Sequence, residues 1–290
     1  MKNVYEMVTD RIINMLEEGI IPWEKPWTGT KSGSFNRITK KPYSLLNQMM
    51  LKHEGEYATF KQWTDLGGKI RKGEKSEIIV FWKIQHIIEK NEDGEEETKH
   101  IPILRYYNVF HITQVDGVKP LPEEEIESDL EPIEEIEKIL MDYIKREGIK
   151  LINEKSNDAY YSPSRDLIHL PLMEQFKNIE EYYSTFTHES VHSTMAESRC
   201  NRKAENKNAA FGSTDYSKEE LVAELGAASI LNMLGIETKS SFRNSAAYIQ
   251  SWIKVLKNDV KFIVSASSKS EKAVKYILNI KDEEQNVGED

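Results

Sequence analysis

The segment THESVH (187–192) is the feature that most constrains this fold, because its two histidines lie four residues apart. The surrounding residues 179–196 have the apolar spacing of a helix, and positions i and i+4 lie one above the other on a helix. His188 and His192 can therefore bind one metal ion, with Glu189 beside them as a general base. The alternative is a pair of surface histidines that are four residues apart by chance.

A helical metal site of this kind needs a third protein ligand from another element. Residues 217–235 predict a helix in which Glu220 and Glu224 lie four apart on one face. We predict that Glu220 binds the metal and that Glu224 holds a ligand histidine by a hydrogen bond. Glu220 could instead form a capping box with Ser217. Tyr216, just before this segment, is a candidate oxyanion donor.

The first part of the chain combines aromatic with basic residues. Residues 1–86 hold fourteen Lys or Arg against ten Asp or Glu, although the whole chain has a net charge of −10. Aromatic rings that stack on bases and cations that contact phosphates are typical of single-stranded-DNA binding. The alternative is that the rings form a small core under a solvated basic surface. The predicted DNA-binding residues are Trp23, Lys25, Trp27, Asn36, Arg37, Lys41, Tyr43, Asn47, Trp63, Arg71 and Lys72.

The bulk composition argues for a soluble, cytoplasmic protein. The single cysteine, Cys200, excludes an intramolecular disulfide framework and fits a reducing compartment. No apolar run approaches the roughly 20 residues that span a bilayer, and the N-terminus has no secretory signal pattern. The acidic net charge disfavours indiscriminate binding to duplex DNA.

Secondary-structure patterns predict an α+β fold. Strands are predicted at 76–84 and 101–112, separated by an acidic turn. Residues 115–131 contain Pro, Gly and a carboxylate run, which is typical of a linker. Helices follow from residue 133, at 179–196, 217–235, 245–258 and 269–280, with a hairpin at 159–172. Within it, RDLIHL (165–170) is predicted to be an edge strand beside which an extended substrate could lie.

Both parts of the chain resemble the ArdC-type antirestriction proteins of plasmids, phages and conjugative elements. The similar segments include VYEMVTDRIINMLEEGIIPWEKPW, FNRITKKPYSLLN and RKGEKSEIIVFWK in the first part. YSPSRDLIHLP, YYSTFTHESVHST and FGSTDYSKEELVAELGAA are similar in the second. The resemblance implies a small α+β domain that binds single-stranded DNA and a mainly helical zincin-like metallopeptidase domain with a short edge sheet. It also implies that His188, His192 and Glu220 bind Zn²⁺ and that Glu189 is the catalytic carboxylate.

The predicted function is that of a mobile-element protein that binds single-stranded DNA and carries a zinc-dependent, gluzincin-like peptidase site. The alternatives are a non-catalytic DNA-binding protein with a structural zinc, or a DNA-tethered protease that acts on host proteins. Single-stranded DNA and a protein or peptide substrate are the expected partners, with no membrane. The predicted divisions are a DNA-binding domain at 1–115, a linker at 116–131, a metallopeptidase domain at 132–280 and a disordered tail at 281–290.

Overall fold

The computed structural model describes residues 2–24, 33–90, 96–122, 132–202, 214–236 and 246–281. Its helices are α1 (Val4–Glu17), α2 (Leu45–Met50), α3 (Phe60–Asp65), α4 (Pro132–Glu147), α5 (Ile179–Ser193), α6 (Thr214–Met233), α7 (Ala246–Asn258) and α8 (Phe262–Ile277). Its strands are β1 (Ser34–Asn36), β2 (Gly55–Thr59), β3 (Lys69–Ile70), β4 (Glu77–Lys90), β5 (Glu96–His111), β6 (Val115–Asp116), β7 (Lys150–Glu154), β8 (Tyr160–Ser162) and β9 (Leu167–Pro171). The predicted α+β fold is confirmed. Among the described helices, none is long and apolar enough to cross a membrane.

The N-terminal part of the chain forms a four-stranded sheet with the strand order β1-β2-β5-β4. β4 and β5 are antiparallel partners from Glu77 opposite Val109 to Lys90 opposite Glu96, so they form one long hairpin. The strands predicted at 76–84 and 101–112 are shorter than these. Charged residues are depleted in strands, so the sequence pattern does not reveal the outer part of the hairpin.

The C-terminal part is mainly helical and includes a three-stranded sheet with the order β7-β9-β8. The predicted hairpin at 159–172 is present as β8 and β9. The prediction that its RDLIHL segment is an edge strand is wrong, because β9 pairs with β7 on one side and with β8 on the other. All five residues of β9 are buried, and a short apolar run is typical of a central strand. The edges of this sheet are β7 and β8.

Local capping sets the beginning of several helices. The side chain of Asn3 accepts a hydrogen bond from the backbone N–H of Glu6, and the Glu6 carboxylate accepts one from the N–H of Asn3. α5 begins after Asn178, whose side chain accepts a hydrogen bond from the N–H of Glu181. α8 begins at Phe262, well before the predicted start at residue 269. The sequence pattern misses these first turns because their serine and β-branched residues are only moderate helix formers.

The described residues form four apolar cores, of which the largest joins the two parts of the chain. It contains residues of α1, α2, β4 and β5 together with residues of α6, α7 and α8. At its centre the rings of Trp23 and Trp252 meet edge to face, with centroids 5.2 Å apart. The side-chain amide of Asn232 donates a hydrogen bond to the carbonyl of Trp23. α6 also lines the second core, which lies among α4, α5, α8 and β9.

The predicted linker and tail lie largely outside the described residues. Of the linker, the structure describes 116–122, where the carboxylate of Glu56 accepts a hydrogen bond from the backbone N–H of Leu121 at 2.6 Å. Residues 123–131 of the linker and 282–290 of the tail are outside the description. The end of the linker nearest the sheet is therefore attached to it.

Candidate metal centre

α5 and α6 bring the three predicted metal ligands together. The Nε2 atoms of His188 and His192 lie 2.9 Å apart. Glu220 Oε1 lies 3.2 Å from His192 Nε2, and Glu220 Oε2 lies 3.6 Å from His188 Nε2. Two atoms bonded to a tetrahedral zinc at 2.0–2.1 Å are about 3.4 Å apart. The spacing and the donor types therefore fit a single divalent metal ion.

The structure excludes the capping alternative for Glu220. α6 begins at Thr214, so Ser217 lies inside the helix, where its hydroxyl oxygen is 3.3 Å from that of Ser251. Glu220 is buried and directed toward the two histidines. Tyr216 lies in the first turn of α6, but its side chain is outside the description, so its role as an oxyanion donor stays a prediction.

Each candidate histidine ligand has a carboxylate near its other ring nitrogen. Glu224 Oε1 lies 3.2 Å from His188 Nδ1, on the side away from the candidate metal position. Glu219 Oε1 lies 3.6 Å from His192 Nδ1. Carboxylates in such positions fix the tautomer and the orientation of a ligand imidazole. Glu224 lies beside the histidine that it was predicted to hold, and the hydrogen bond between them stays a prediction. Glu219 was not identified from the sequence.

Arg202 holds Glu219 in place and was also not identified from the sequence. Its guanidinium donates hydrogen bonds to both carboxylate oxygens of Glu219, at 2.8 and 3.3 Å. The same guanidinium donates to the carbonyl of Val191 and to the hydroxyl of Thr194. Because the chain after α5 folds back over the end of that helix, Arg202 reaches α5 and α6 together. The adjacent pair Glu219-Glu220 was the one available signal in the sequence.

The electrostatics of the site come from buried carboxylates around the imidazoles. Burial by itself would lower the pKa of His192, but the carboxylates of Glu219 and Glu220 outweigh it and raise this pKa to about 10. The charge of Glu189 acts in the same direction. Burial would raise the pKa of Glu219, but His192 and Arg202 lower it to about 2. Burial would also raise the pKa of Glu220, but hydrogen bonding to His188 and His192 holds it far below its usual value. The site is therefore rich in negative charge that suits a cation.

Gly226 explains how α5 and α6 come close enough for their side chains to share a metal ion. A Cβ atom on Gly226 would lie 2.9 Å from Cγ1 and 3.0 Å from Cγ2 of Val191, which is fully buried on α5. Real Cβ atoms essentially never make contacts this short. A larger residue therefore fits here only if the Val191 side chain or one of the two helices shifts.

We expect Gly226→Ala to destabilise the protein by on the order of 1 kcal/mol. Helix propensity alone would make alanine better by about 0.8–1.0 kcal/mol, whereas overpacking costs about 1–3 kcal/mol. Urea unfolding of Gly226→Ala, Val191→Ala and the double variant measures the effect. The double variant should be more stable than the sum of the two single effects predicts, because an alanine at position 191 leaves space for the new methyl group at position 226. A stabilised Gly226→Ala variant would contradict this account of the contact.

Four of the predicted DNA-binding residues are core residues, and their prediction as DNA contacts is wrong for this structure. Trp23, Tyr43, Asn47 and Trp63 are all buried. The indole of Trp63 donates a hydrogen bond to the carbonyl of Phe110. Asn47 exchanges two hydrogen bonds with the backbone of β4. Side chains in these positions cannot stack on bases or bind phosphates without unfolding their surroundings.

Asn36 and Arg37 also have structural partners. Asn36 accepts hydrogen bonds from the N–H groups of Ile38 and Thr39, which closes the turn after β1. Arg37 forms an ion pair with the buried carboxylate of Glu56. Both side chains stabilise the N-terminal sheet, so their contribution to DNA binding stays a prediction.

The remaining predicted DNA-binding residues are exposed or undescribed. Lys41, Arg71 and Lys72 are exposed, and Arg71 is partly neutralised by Glu74 at 3.0 Å. Lys25 and Trp27 lie outside the described residues. The structure therefore brings together the predicted metal ligands, whereas among the described residues four of the predicted DNA contacts are buried in the core.

Family models match both parts of the chain. Residues 2–110 match the N-terminal domain of the anti-restriction factor ArdC, and residues 138–269 match a zincin-like metallopeptidase. The crystal structure of the antirestriction protein ArdC from plasmid R388 in its metal-free form is 31% identical, with a TM-score of 0.73, and the match covers 97% of this chain and 100% of that one. Its Mn(II)-bound structure is 30% identical, with a TM-score of 0.74, and covers 96% and 98% of the two chains.

Curated relatives include a DNA primase TraC of Escherichia coli, which is 33% identical over 96% of this chain. This chain spans about a quarter of that primase, 27% of its length. The uncharacterized protein y4eC of Sinorhizobium fredii is 32% identical, and the match covers 93% of this chain and 89% of y4eC. The ArdC N-terminal domain model is followed along the chain by the metallopeptidase model, and the solved ArdC structure is matched over its whole length. The chain therefore belongs to the ArdC antirestriction family.

Proposed function

We propose that this chain is an antirestriction protein that binds single-stranded DNA and carries a zinc-dependent peptidase site. The observation that carries the proposal is the convergence of His188, His192 and Glu220 from two helices, with Glu189 next to the first histidine. The match to a zincin-like metallopeptidase model and the Mn(II)-bound ArdC structure support a divalent metal here. Zinc is proposed because two imidazoles and one carboxylate are a common zinc ligand set in catalytic sites.

Each residue of the site has a distinct proposed role. His188, His192 and Glu220 would hold the metal, while Glu224 and Glu219 orient the two imidazoles through their Nδ1 atoms. A bound zinc ion supplies Lewis-acid polarisation of an amide carbonyl and a lowered pKa of water. Glu189 would take the proton from the attacking water and pass it to the leaving amine. Tyr216 is proposed to donate a hydrogen bond to the oxyanion.

We expect Glu189→Gln to keep its metal and lose hydrolysis. Glutamine has nearly the same shape but cannot accept a proton from water, so turnover should fall by at least about 100-fold. The measurements are zinc and manganese content by mass spectrometry and cleavage of fluorescein-labelled casein, each with and without an unstructured oligonucleotide. Glu134→Gln, on the exposed side of α4, is the matched control and should behave as wild type. Hydrolysis that survives in Glu189→Gln would refute the role of this carboxylate.

Single-stranded DNA is the proposed partner of the N-terminal part of the chain. Support comes from the local excess of Lys and Arg and from the match to the ArdC N-terminal domain. The relatives named DNA primase point in the same direction. Binding should be tested with the full chain, because the core formed by α1, α2, α6, α7 and α8 would be incomplete in a fragment that ends at residue 115. Absence of any binding at low salt would remove this part of the proposal.

A specific observation favours one alternative, a DNA-binding protein with a metal that does not catalyse. His188, Glu189 and Glu220 are buried, and the side chain of His192 is only 13% exposed, so little of the site is open to a substrate. The casein assay decides between the two, because a structural site would leave wild type and Glu189→Gln equally inactive.

We also retain the divisions 1–115, 116–131 and 132–280 as proposed boundaries, with 281–290 as a tail.

A further inference from the structure

One face of the β4–β5 hairpin carries exposed aromatic and basic side chains that no other part of the proposed mechanism uses. Residues directly opposite each other in an antiparallel pair lie on the same side of the sheet, and so do residues two apart along a strand. In this hairpin Ile79 is opposite Tyr107, Phe81 is opposite Arg105 and Lys83 is opposite Ile103. Phe81, Lys83, Arg105 and Tyr107 therefore share one face. We call these four residues the hairpin platform.

The two rings of the hairpin platform are accessible and firmly supported. Phe81 is 44% exposed and Tyr107 is 46% exposed, so both rings are open to solvent on the same face of the hairpin. Their centroids lie 6.2 Å apart with an interplanar angle of 66°. The buried ring of Tyr43 lies 6.2 Å from Phe81 on the side of the core. The exposed rings therefore rest on the core of the N-terminal sheet.

Two exposed cations share the face of the hairpin that carries the rings. Lys83 and Arg105 are exposed, and neither forms an ion pair with any side chain that the structure describes. Together with Gln85, Ile103 and the tyrosines at 106 and 107 they line a groove on the hairpin. A groove with stackable rings and unneutralised cations has the chemistry that unpaired bases and their phosphates require.

We propose that the hairpin platform is the surface on which this protein binds single-stranded DNA. The inference rests on the proposed function and specifies where that binding takes place. Phe81 and Tyr107 stack on bases, while Lys83 and Arg105 contact the phosphates. A duplex cannot use this surface in the same way, because its bases are already stacked and paired. Phe81 and Tyr107 thus take the stacking role that the sequence assigned to Trp23, Tyr43 and Trp63, which are buried in the core.

The opposite face of the hairpin provides a matched control. Trp82 is 52% exposed and is opposite Leu104, so it lies on the other side from the hairpin platform. Its ring contacts Tyr5 of α1, with centroids 6.3 Å apart. The neighbours of Trp82 on this face of β4 are apolar, so among the described residues of the hairpin no cation lies beside this ring. The cation of Lys261 lies over the ring of Tyr5 instead, with Nζ 5.5 Å from its centroid. If any exposed ring on the hairpin were sufficient for stacking, loss of Trp82 would weaken DNA binding as much as loss of Phe81 and Tyr107. The proposal expects weaker binding only when the rings of the hairpin platform are lost.

The test measures binding of a fluorescein-labelled oligothymidylate to the full chain by anisotropy at several salt concentrations. Phe81→Leu with Tyr107→Leu keeps apolar contacts but removes both rings, and it should weaken binding roughly tenfold or more. Lys83→Ala with Arg105→Ala should weaken binding and lower the slope of log K against log salt by about 1.4. Trp82→Leu, on the opposite face of the hairpin, should bind as wild type does. Melting temperature and metal content verify that each variant is folded.

The outcomes separate this inference from the proposed function. If wild type binds the oligothymidylate and the platform variants bind equally well, the hairpin platform is not the DNA surface, although DNA binding itself stands. If Trp82→Leu weakens binding and Phe81→Leu with Tyr107→Leu does not, the wrong face was assigned. If wild type does not bind at low salt, both the inference and the DNA-binding function are overturned.

Discussion

Replacing Glu220 with alanine is expected to strip the protein of its metal. The carboxylate lies within 3.6 Å of both histidine Nε2 atoms and is the ligand that α6 contributes. Loss of a carboxylate that merely orients a ligand costs 10–100-fold in metal affinity, so loss of a ligand itself should cost at least about 100-fold. After desalting, mass spectrometry should find close to one metal ion per chain in wild type and almost none in Glu220→Ala.

Graded variants make this prediction specific. Glu219→Gln and Glu224→Gln alter the carboxylates near the Nδ1 atoms, so each should lower metal affinity by about 10–100-fold. Glu134→Ala, which is exposed on α4, should keep the metal. Titration of the metal-free protein with each ion measures these affinities and would also distinguish zinc from manganese. Full metal retention in Glu220→Ala would show that α6 does not supply a ligand.

Replacing Trp23 with alanine should destabilise both parts of the protein together. The Trp23 side chain is 1% exposed and packs against Trp252 of α7. Large-to-small changes at such a buried ring cost about 3–5 kcal/mol, which for a chain of this size lowers the melting temperature by on the order of 10 °C. Calorimetry gives the temperature, and release of bound metal to a chromogenic chelator reports on the site in α5 and α6 during the same heating experiment.

Because the core is shared, we expect the calorimetric melting temperature and the temperature of metal release to fall by the same amount. Trp82→Ala is the control, because this indole is exposed and its loss should change stability by less than about 1 kcal/mol. Metal release that stays at the wild-type temperature in Trp23→Ala would mean that the C-terminal part unfolds independently of α1. That result would contradict the coupling through α6.

The metal centre could be predicted from the sequence because its geometry is local to single helices. A spacing of four places His188 over His192 on α5 and Glu220 over Glu224 on α6, whatever the rest of the chain does. The assignment then needs one non-local step, the meeting of the two helices. That step followed from the donor types, and the structure shows the two helices in contact.

Other features could not be predicted because they depend on long-range packing. Arg202 reaches Glu219 only after the chain turns back at the end of α5, and no sequence spacing encodes that turn. Composition cannot distinguish a core ring such as Trp63 from an exposed ring such as Phe81, because both lie near basic residues. The central position of β9 depends on β7, whose polar residues give a weak strand signal.

The core in which Trp23 packs against Trp252 should limit recombination between the gene segments that encode the N-terminal and C-terminal parts of the chain. Recombination readily moves a domain that is complete by itself, since a new neighbour costs it no packing. Here a foreign N-terminal segment would have to refit the surfaces of α6, α7 and α8, and a poor fit would also disturb the helix that carries Glu220. The two segments should therefore be inherited as a unit, even where the pair is fused to a much longer protein.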